Sequence, residues 1–400
     1  MKQRVSTIDG LRGFSLLGIL MANMLIFQYG MFGKDQLTDL MYADHLAYIW
    51  LKIFVESSFM PIFMFLFGYS MIMMKGKLDR NGSKVKRHFV RRFLLLILFG
   101  LLHSFFIWEG DILFSYGLMG LILLVFLNRK KKTLLIWSIG LLIVTSLMAY
   151  GDPNEMIEDE TQLNAYVEKA NHIYSTGSYS KIYTFRNSDE DPFGWPDYMY
   201  VVVLLVAPFI TAPMFLLGMY AANKEWFATP KQEKKRYVWF ASVFIALGLL
   251  LKSIRYLIPD SSWGEVAYTL GSSLLALGYI FGFALLYTTE KLRVQSWFEK
   301  VGRLSMTNYL MQSIVCTALF YGYGLGWFGK LGVLVGIGVA LVLYVLQIIT
   351  SHYYLKLFKM GPFERVMRVG TYLSFKGKPK RKKKDNDKVV IEEDPLVSNG

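Results

Sequence analysis

The feature that most limits how this chain can fold is the clustering of its apolar residues into stretches of about 18 to 25, each long enough to cross a bilayer. Hydrocarbon offers a backbone amide no partner, so each stretch must satisfy its own peptide groups as a helix. Ten spans are read along the 400 residues, near 13–32, 50–74, 93–108, 111–128, 133–150, 198–221, 237–257, 266–288, 304–323 and 331–357. With 54% hydrophobic residues, the expected fold is an all-α polytopic membrane protein of about ten transmembrane helices.

The formal net charge of +14 would suit a nucleic-acid binder, but its distribution does not. Lys and Arg gather in 75–92, 129–132, 224–236, 291–303 and from 359 onward, whereas the alternate connections are neutral or acidic. Both termini in the cytoplasm would put every basic connection on one side, as the positive-inside rule requires. The excess charge then reports topology and contact with anionic membrane lipids, and no nucleic-acid partner is expected. The first span follows Arg4, Asp9 and Arg12 without a small-residue cleavage pattern, so it is read as retained. Cys316 is the single cysteine, which excludes an internal disulfide and a cysteine metal cluster, and no metal is expected.

Residues 1–375 form the transmembrane helical domain, with an extracytoplasmic loop at 151–197 that is either a lid or acceptor-binding element, or a solvated connector. Residues 376–400 carry Lys-Pro-Lys-Arg-Lys-Lys-Lys before an acidic end and are expected to be a disordered cytoplasmic tail touching lipid. Pro61 and Pro213 are expected to break the second and sixth spans. Similar strings, Phe63 to Tyr69 and Met214 to Tyr220, accompany them and hint at an internal duplication.

The most informative residue is His103, an imidazole inside the apolar run from Phe93 to Trp108, with Glu109 and Asp111 at the reversal beyond it. A carboxylate there would bond one ring nitrogen, fix the tautomer and leave the other nitrogen to take a proton or an acyl group. The alternative is an interhelical hydrogen bond that only holds helices together. Glu56 is either an acid at the outer interface or a second acid in the same cavity. Arg12, Arg91, Arg92 and Arg303 begin spans on the basic side; they serve as positive-inside flanks or converge on the phosphates of a nucleotide-like donor. Lys252 and Arg255 are expected to snorkel. Asn308, Tyr309 and Gln312 form a polar stripe that lines a path or bonds to neighbouring helices. No phosphate-binding glycine loop, dinucleotide fingerprint, nucleophile elbow or zinc-helix motif occurs, which argues against soluble cofactor folds and a permanently bound cofactor.

Four strings together resemble the YeiB-like bacterial membrane family: Ile8-Asp9-Gly10-Leu11-Arg12-Gly13-Phe14; the run Phe59 to Tyr69; Leu101-Leu102-His103 with Ile107 to Leu113; and Val301 to Leu310. Gly177-Ser178-Tyr179 and Arg186 also fit that family's external loop. The family is in turn similar to integral-membrane acyltransferases, through the Leu11-Arg12-Gly13 opening. Among the O-acetylating members a histidine follows the arginine by eleven positions; here that place holds Asn23, so His103 is the remaining intramembrane base near the outer face.

The resemblance implies a multi-pass enzyme of the bacterial inner or plasma membrane. It would move an acyl group, acetyl being the simplest, from cytoplasmic acyl-CoA to an extracytoplasmic small molecule, glycan or lipid. The assignments are His103 as base, Asp111 or Glu109 as its orienter, Arg12, Arg91, Arg92 and Arg303 at the donor phosphates, and Glu56, Asn23, Asn308 and Gln312 along the substrate path. A homo-oligomer is compatible with these assignments. The competing classes are a transporter or flippase, in which the prolines mark broken helices, and a scaffold or sensor without turnover.

Overall fold

The computed structural model describes residues 6–37, 40–151, 160–188, 192–193, 195–289, 294–377 and 379. The predicted tail, apart from residues 376, 377 and 379, and part of the 151–197 loop lie outside them. The described chain is all helical, without a strand, and seven of its segments are long and apolar enough to cross a membrane.

In chain order the helices are α1 (Ser6–Tyr29), α2 (Tyr42–Phe54), α3 (Phe59–Arg80), α4 (Val85–Phe106), α5 (Leu113–Leu123), α6 (Lys131–Leu147), α7 (Glu160–Thr176) and α8 (Tyr179–Arg186). They continue as α9 (Asp197–Asn223), α10 (Lys234–Leu257), α11 (Gly264–Leu285), α12 (Val294–Arg303), α13 (Ser305–Phe320), α14 (Val333–Leu357) and α15 (Pro362–Tyr372).

α1 is the spine of the bundle, packed by α3, α11, α12, α13 and α14. Its apolar residues run all round, as a helix enclosed by other helices requires. The outer helices turn large apolar side chains outward: Leu94, Leu98 and Leu101 on α4, Val342 and Val345 on α14. A face like that is stable only against lipid. Where backbones cross closely, glycine makes room on both partners. A Cβ at Gly13 would strike the Phe298 carbonyl while one at Gly302 would strike that of Asp9; Gly68 and Gly218 make the same reciprocal contact between α3 and α9. At this second crossing the two similar strings pack against each other.

The structure corrects several expectations. Pro61 lies in the first turn of α3, where proline is tolerated, and α9 runs unbroken through Pro208 and Pro213. The real break falls earlier, at Val55 to Ser58, where Ser57 has φ +59°. Breaking a helix at membrane depth exposes its last carbonyls, and neighbours satisfy them here. Tyr268 donates to the Lys52 carbonyl (2.9 Å), Tyr279 to that of Phe54 (2.8 Å) and Lys252 to that of Glu56 (2.6 Å). Lys252 therefore does not snorkel: it is fully buried, with Ser58 Oγ at 2.9 Å and the Tyr268 ring beneath it. Arg255 instead pairs with Glu265 at 2.8 Å. Two helices unseen in the apolar pattern, α12 and α15, are amphipathic and lie within basic stretches.

Candidate active site

The tight reversal between α4 and α5 depends on Gly100, where a Cβ would collide with the Phe114 amide and the Asp111 carboxylate. Without that Cβ, the start of α5 can lie against α4 and bring Asp111 to His103. Asp111 Oδ1 accepts the Phe114 N–H at 2.8 Å, a helix-start bond, and Oδ2 meets His103 Nδ1 at 2.8 Å. Both side chains are almost completely buried, at 1% and 2% exposure. The other ring nitrogen, His103 Nε2, is buried and has no hydrogen-bond partner. Asp111 on Nδ1 favours the neutral tautomer with its proton on that nitrogen, which would leave the lone pair on Nε2.

Tyr309 of α13 closes one side of the pair. Its ring centre lies 5.4 Å from that of His103, and its hydroxyl accepts the Ile112 N–H at 3.2 Å. Trp108 closes another side: it is fully buried, edge-on to His103 at 6.4 Å and stacked on Phe27 at 4.2 Å. Of the two carboxylates named as possible orienters, Asp111 contacts His103 and Glu109 turns to other partners. Glu109 Oε1 accepts from the Tyr174 hydroxyl at 2.9 Å, and Oε2 faces Arg186 Nη1 at 3.9 Å.

That second group sits in a cavity of about 240 Å3 lined by residues that include Tyr29, Phe32, Glu109, Tyr166, Tyr174 and Arg186. Glu109 Oε2 and Arg186 Nε are buried there without hydrogen bonds. α7 and α8 form its roof, so this part of the 151–197 loop is an ordered cap. α8 starts on the Ser178 side chain, which accepts the Lys181 N–H at 3.4 Å. The cap is fastened to the exposed carbonyls at the end of α4: Arg186 donates to those of Ile107 (2.9 Å) and Phe105 (2.8 Å), and Tyr179 to that of Phe106 (2.8 Å). Burial, then the Glu109 charge, pushes the Tyr174 phenol well above its usual range.

At the basic end of the bundle, Arg12 bonds Asp9 (3.3 Å) and Ser70 Oγ (3.0 Å). Arg92 lies within electrostatic reach of Arg12, of Arg368 on α15, and of Tyr372. Arg368 was not foreseen; it follows Arg365 by three positions on amphipathic α15, a spacing that marks a helix face. Neither Arg92 nor Arg368 has an ion-pair partner among the described residues, while Arg12 pairs with Asp9. Arg91 points about 100° round α4 from Arg92. Arg303 turns to the Lys359 carbonyl at 3.4 Å.

The remaining predicted residues are dispersed. Glu56 joins Lys34 (2.9 Å) and Lys52 (2.6 Å) in an ion network with Asp35 at the break after α2. Burial of Asp35 opposes its charge, yet Lys34 and Lys52 hold its carboxyl below the usual value. Asn23 is half-buried on α1. Asn308 and Gln312 line a second cavity, between α13 and α14, on a different face of α13 from Tyr309.

Fold and site together define a multi-pass helical membrane protein with a buried His–Asp pair beneath an ordered cap and an arginine cluster at the opposite end. Residues 221–374 match the family model described as protein of unknown function DUF418. The chain is 35% identical to the uncharacterized protein YxaH of Bacillus subtilis (strain 168), over 95% of this chain and 97% of the relative. It is 25% identical to the uncharacterized protein YeiB of Escherichia coli (strain K12), over 92% of this chain and 96% of that protein. The chain belongs to the YeiB-like DUF418 family.

Proposed function

We propose that the protein is an integral-membrane acyltransferase that moves an acyl group, acetyl being the simplest, from acyl-CoA at the arginine end to a hydroxyl or amine at the capped end. The observation that carries this is the buried His103 Nε2, which has no hydrogen-bond partner while Asp111 engages Nδ1 at 2.8 Å. With ten spans and both termini inside, the arginine end would be cytoplasmic and the cap extracytoplasmic, in a bacterial inner or plasma membrane.

Arg12, Arg92 and Arg368 would hold the donor phosphates. Arg92 and His103 are eleven residues apart on α4, about 16 Å along its axis, a distance the flexible arm of a CoA thioester must cover. The acceptor would enter the Glu109, Tyr174 and Arg186 cavity, where Glu109 Oε2 accepts no hydrogen bond and suits a donor. As the acceptor oxygen or nitrogen attacks the thioester carbonyl, His103 Nε2 takes its proton. The C–S bond then breaks, and the imidazolium returns that proton to the departing thiolate. The products are free CoA thiol and an ester or amide.

Trp108 and Tyr309 enclose the imidazole and neither cavity is lined by it, so turnover requires Trp108 to swing aside. Acetyl-CoA should raise the melting temperature of the purified protein, and Arg92→Gln should shrink that shift. No stabilisation by acetyl-CoA or by a longer acyl-CoA would remove the donor.

One observation favours a transporter instead: the broken helix at Val55 to Ser58, with its carbonyls cradled by Lys252, Tyr268 and Tyr279. Solute uptake into proteoliposomes without consumption of acyl-CoA would decide for it.

A further inference from the structure

The polar stripe on α13 does not form a water path. Gln312 Nε2 donates to Gln347 Oε1 (2.9 Å), Gln347 Nε2 to the Asn308 carbonyl (3.0 Å), and Asn308 Nδ2 to the Val301 carbonyl and Ser351 Oγ (3.1 Å each). Thr350 bonds back to the Leu346 carbonyl at 2.8 Å, and Thr307 to Glu364 at 2.6 Å. These groups spend their hydrogen bonds on one another and on backbone. They line a cavity of about 360 Å3 between α13 and α14, but the wall it presents is mostly carbon, completed by Leu304, Met311, Val315, Leu343 and Leu346.

The cavity opens sideways. Met311 and Leu346 on its rim are 42% and 50% exposed beside exposed Ile314 on α13 and Val342 and Val345 on α14, so the opening faces the hydrocarbon. It runs from Leu304 to Val315, about 16 Å at helical rise, close to half of a hydrocarbon core of about 30 Å. That is the depth of one leaflet, and the leaflet is defined: the Leu304 and Tyr354 end is the basic end. Arg303 adjoins Leu304, and its Nε is buried without a partner. Lys356 and Lys359 follow Tyr354 on exposed positions.

We infer that this groove holds one acyl chain of an anionic phospholipid, with the headgroup phosphate against Arg303 and Lys359, whose carbonyl holds Arg303 Nη2 at 3.4 Å. A carbon-lined slot one leaflet deep, open to lipid and cationic only at its mouth, matches that ligand in shape and charge. An aqueous solute would find a wall that is mostly carbon. The site stands independently of acyl transfer and of the His103 pair.

Native mass spectrometry of the full chain in detergent, offered phosphatidylglycerol and phosphatidylcholine of equal chain length, tests it. The wild type should retain one lipid and prefer phosphatidylglycerol. Lys359→Gln should reduce that preference about fivefold. Met311→Trp, which fills the groove from its exposed rim, should abolish retention with an unchanged melting profile. Equal retention of the two lipids by the wild type, or retention unaltered by Met311→Trp, overturns the inference. If either variant fails to fold, Met311→Phe with graded loss of the bound lipid serves in its place, and full retention there also overturns it.

Discussion

Replacing Asp111 separates what the carboxylate does for folding from what it does for chemistry. Asp111→Ala removes the acceptor of the Phe114 N–H, a helix-start bond whose loss costs about 1 kcal/mol. It also strands the His103 Nδ1–H in a site with almost no exposure, costing a further 1–3 kcal/mol or so. The expected loss is about 2–4 kcal/mol. Asp111→Asn keeps an oxygen for Phe114 but turns an amide N–H toward His103 Nδ1, which forces the proton onto Nε2. Stability should fall by only about 1 kcal/mol. A His103 Nε2 that carries the proton cannot accept another, so transfer should drop by on the order of 10³- to 10⁴-fold, as when the analogous aspartate is altered in a serine-protease triad. Reversible unfolding in mixed micelles gives the first quantity, release of CoA thiol the second, and nitrogen NMR of the imidazole reports the tautomer. An Asp111→Asn protein that transfers like the wild type would refute the role given to the pair, as would an Asp111→Ala protein of unchanged stability.

Lys252→Met should destabilise the protein by about 2–3 kcal/mol, because the Glu56 carbonyl and Ser58 hydroxyl lose their buried donor; unchanged unfolding would show that the break after α2 does not need it. Arg186→Gln should loosen the cap, since the Phe105 and Ile107 carbonyls lose their donor, and limited proteolysis should then cut between α7 and α9 faster than in the wild type. The raised Tyr174 phenol gives a signed pH effect. The folded protein keeps its proton above about pH 10, where the unfolded chain releases it, so stability from this group is complete below pH 10 and falls as pH rises beyond it. Tyr174→Phe should lessen that alkaline loss, and identical alkaline melts would argue against the coupling.

Much of the fold is readable because lipid leaves the backbone few options. Apolar runs became helices, and the assigned α10, α11 and α14 begin and end within a few residues of the expected spans. Discontinuity and amphipathicity were harder to see. Pro61 drew attention, but the chain breaks at Glu56-Ser57-Ser58, where tertiary donors from α10 and α11 make a non-helical carbonyl row tolerable. α12 and α15 hide in basic stretches because their apolar residues recur at helical spacing without forming a run.

For the candidate site, the His103 and Asp111 pairing was legible from spacing across a short reversal. Its enclosure was not: Tyr309 closes on the imidazole from about 200 positions away, and Trp108 is held beside it by stacking on Phe27 of α1. Glu109 looked equivalent to Asp111 in sequence; the direction of the turn gives one carboxylate to His103 and the other to Tyr174 and Arg186.

The central claim is tested most directly by His103→Gln, which preserves a buried hydrogen-bonding side chain of similar reach. Wild type and variant, reconstituted in vesicles with acetyl-CoA on the arginine side and glucosamine on the capped side, are compared for release of free CoA thiol. The expected result is release by the wild type and none above background from an equally stable variant. Release at the wild-type rate by His103→Gln would contradict the account.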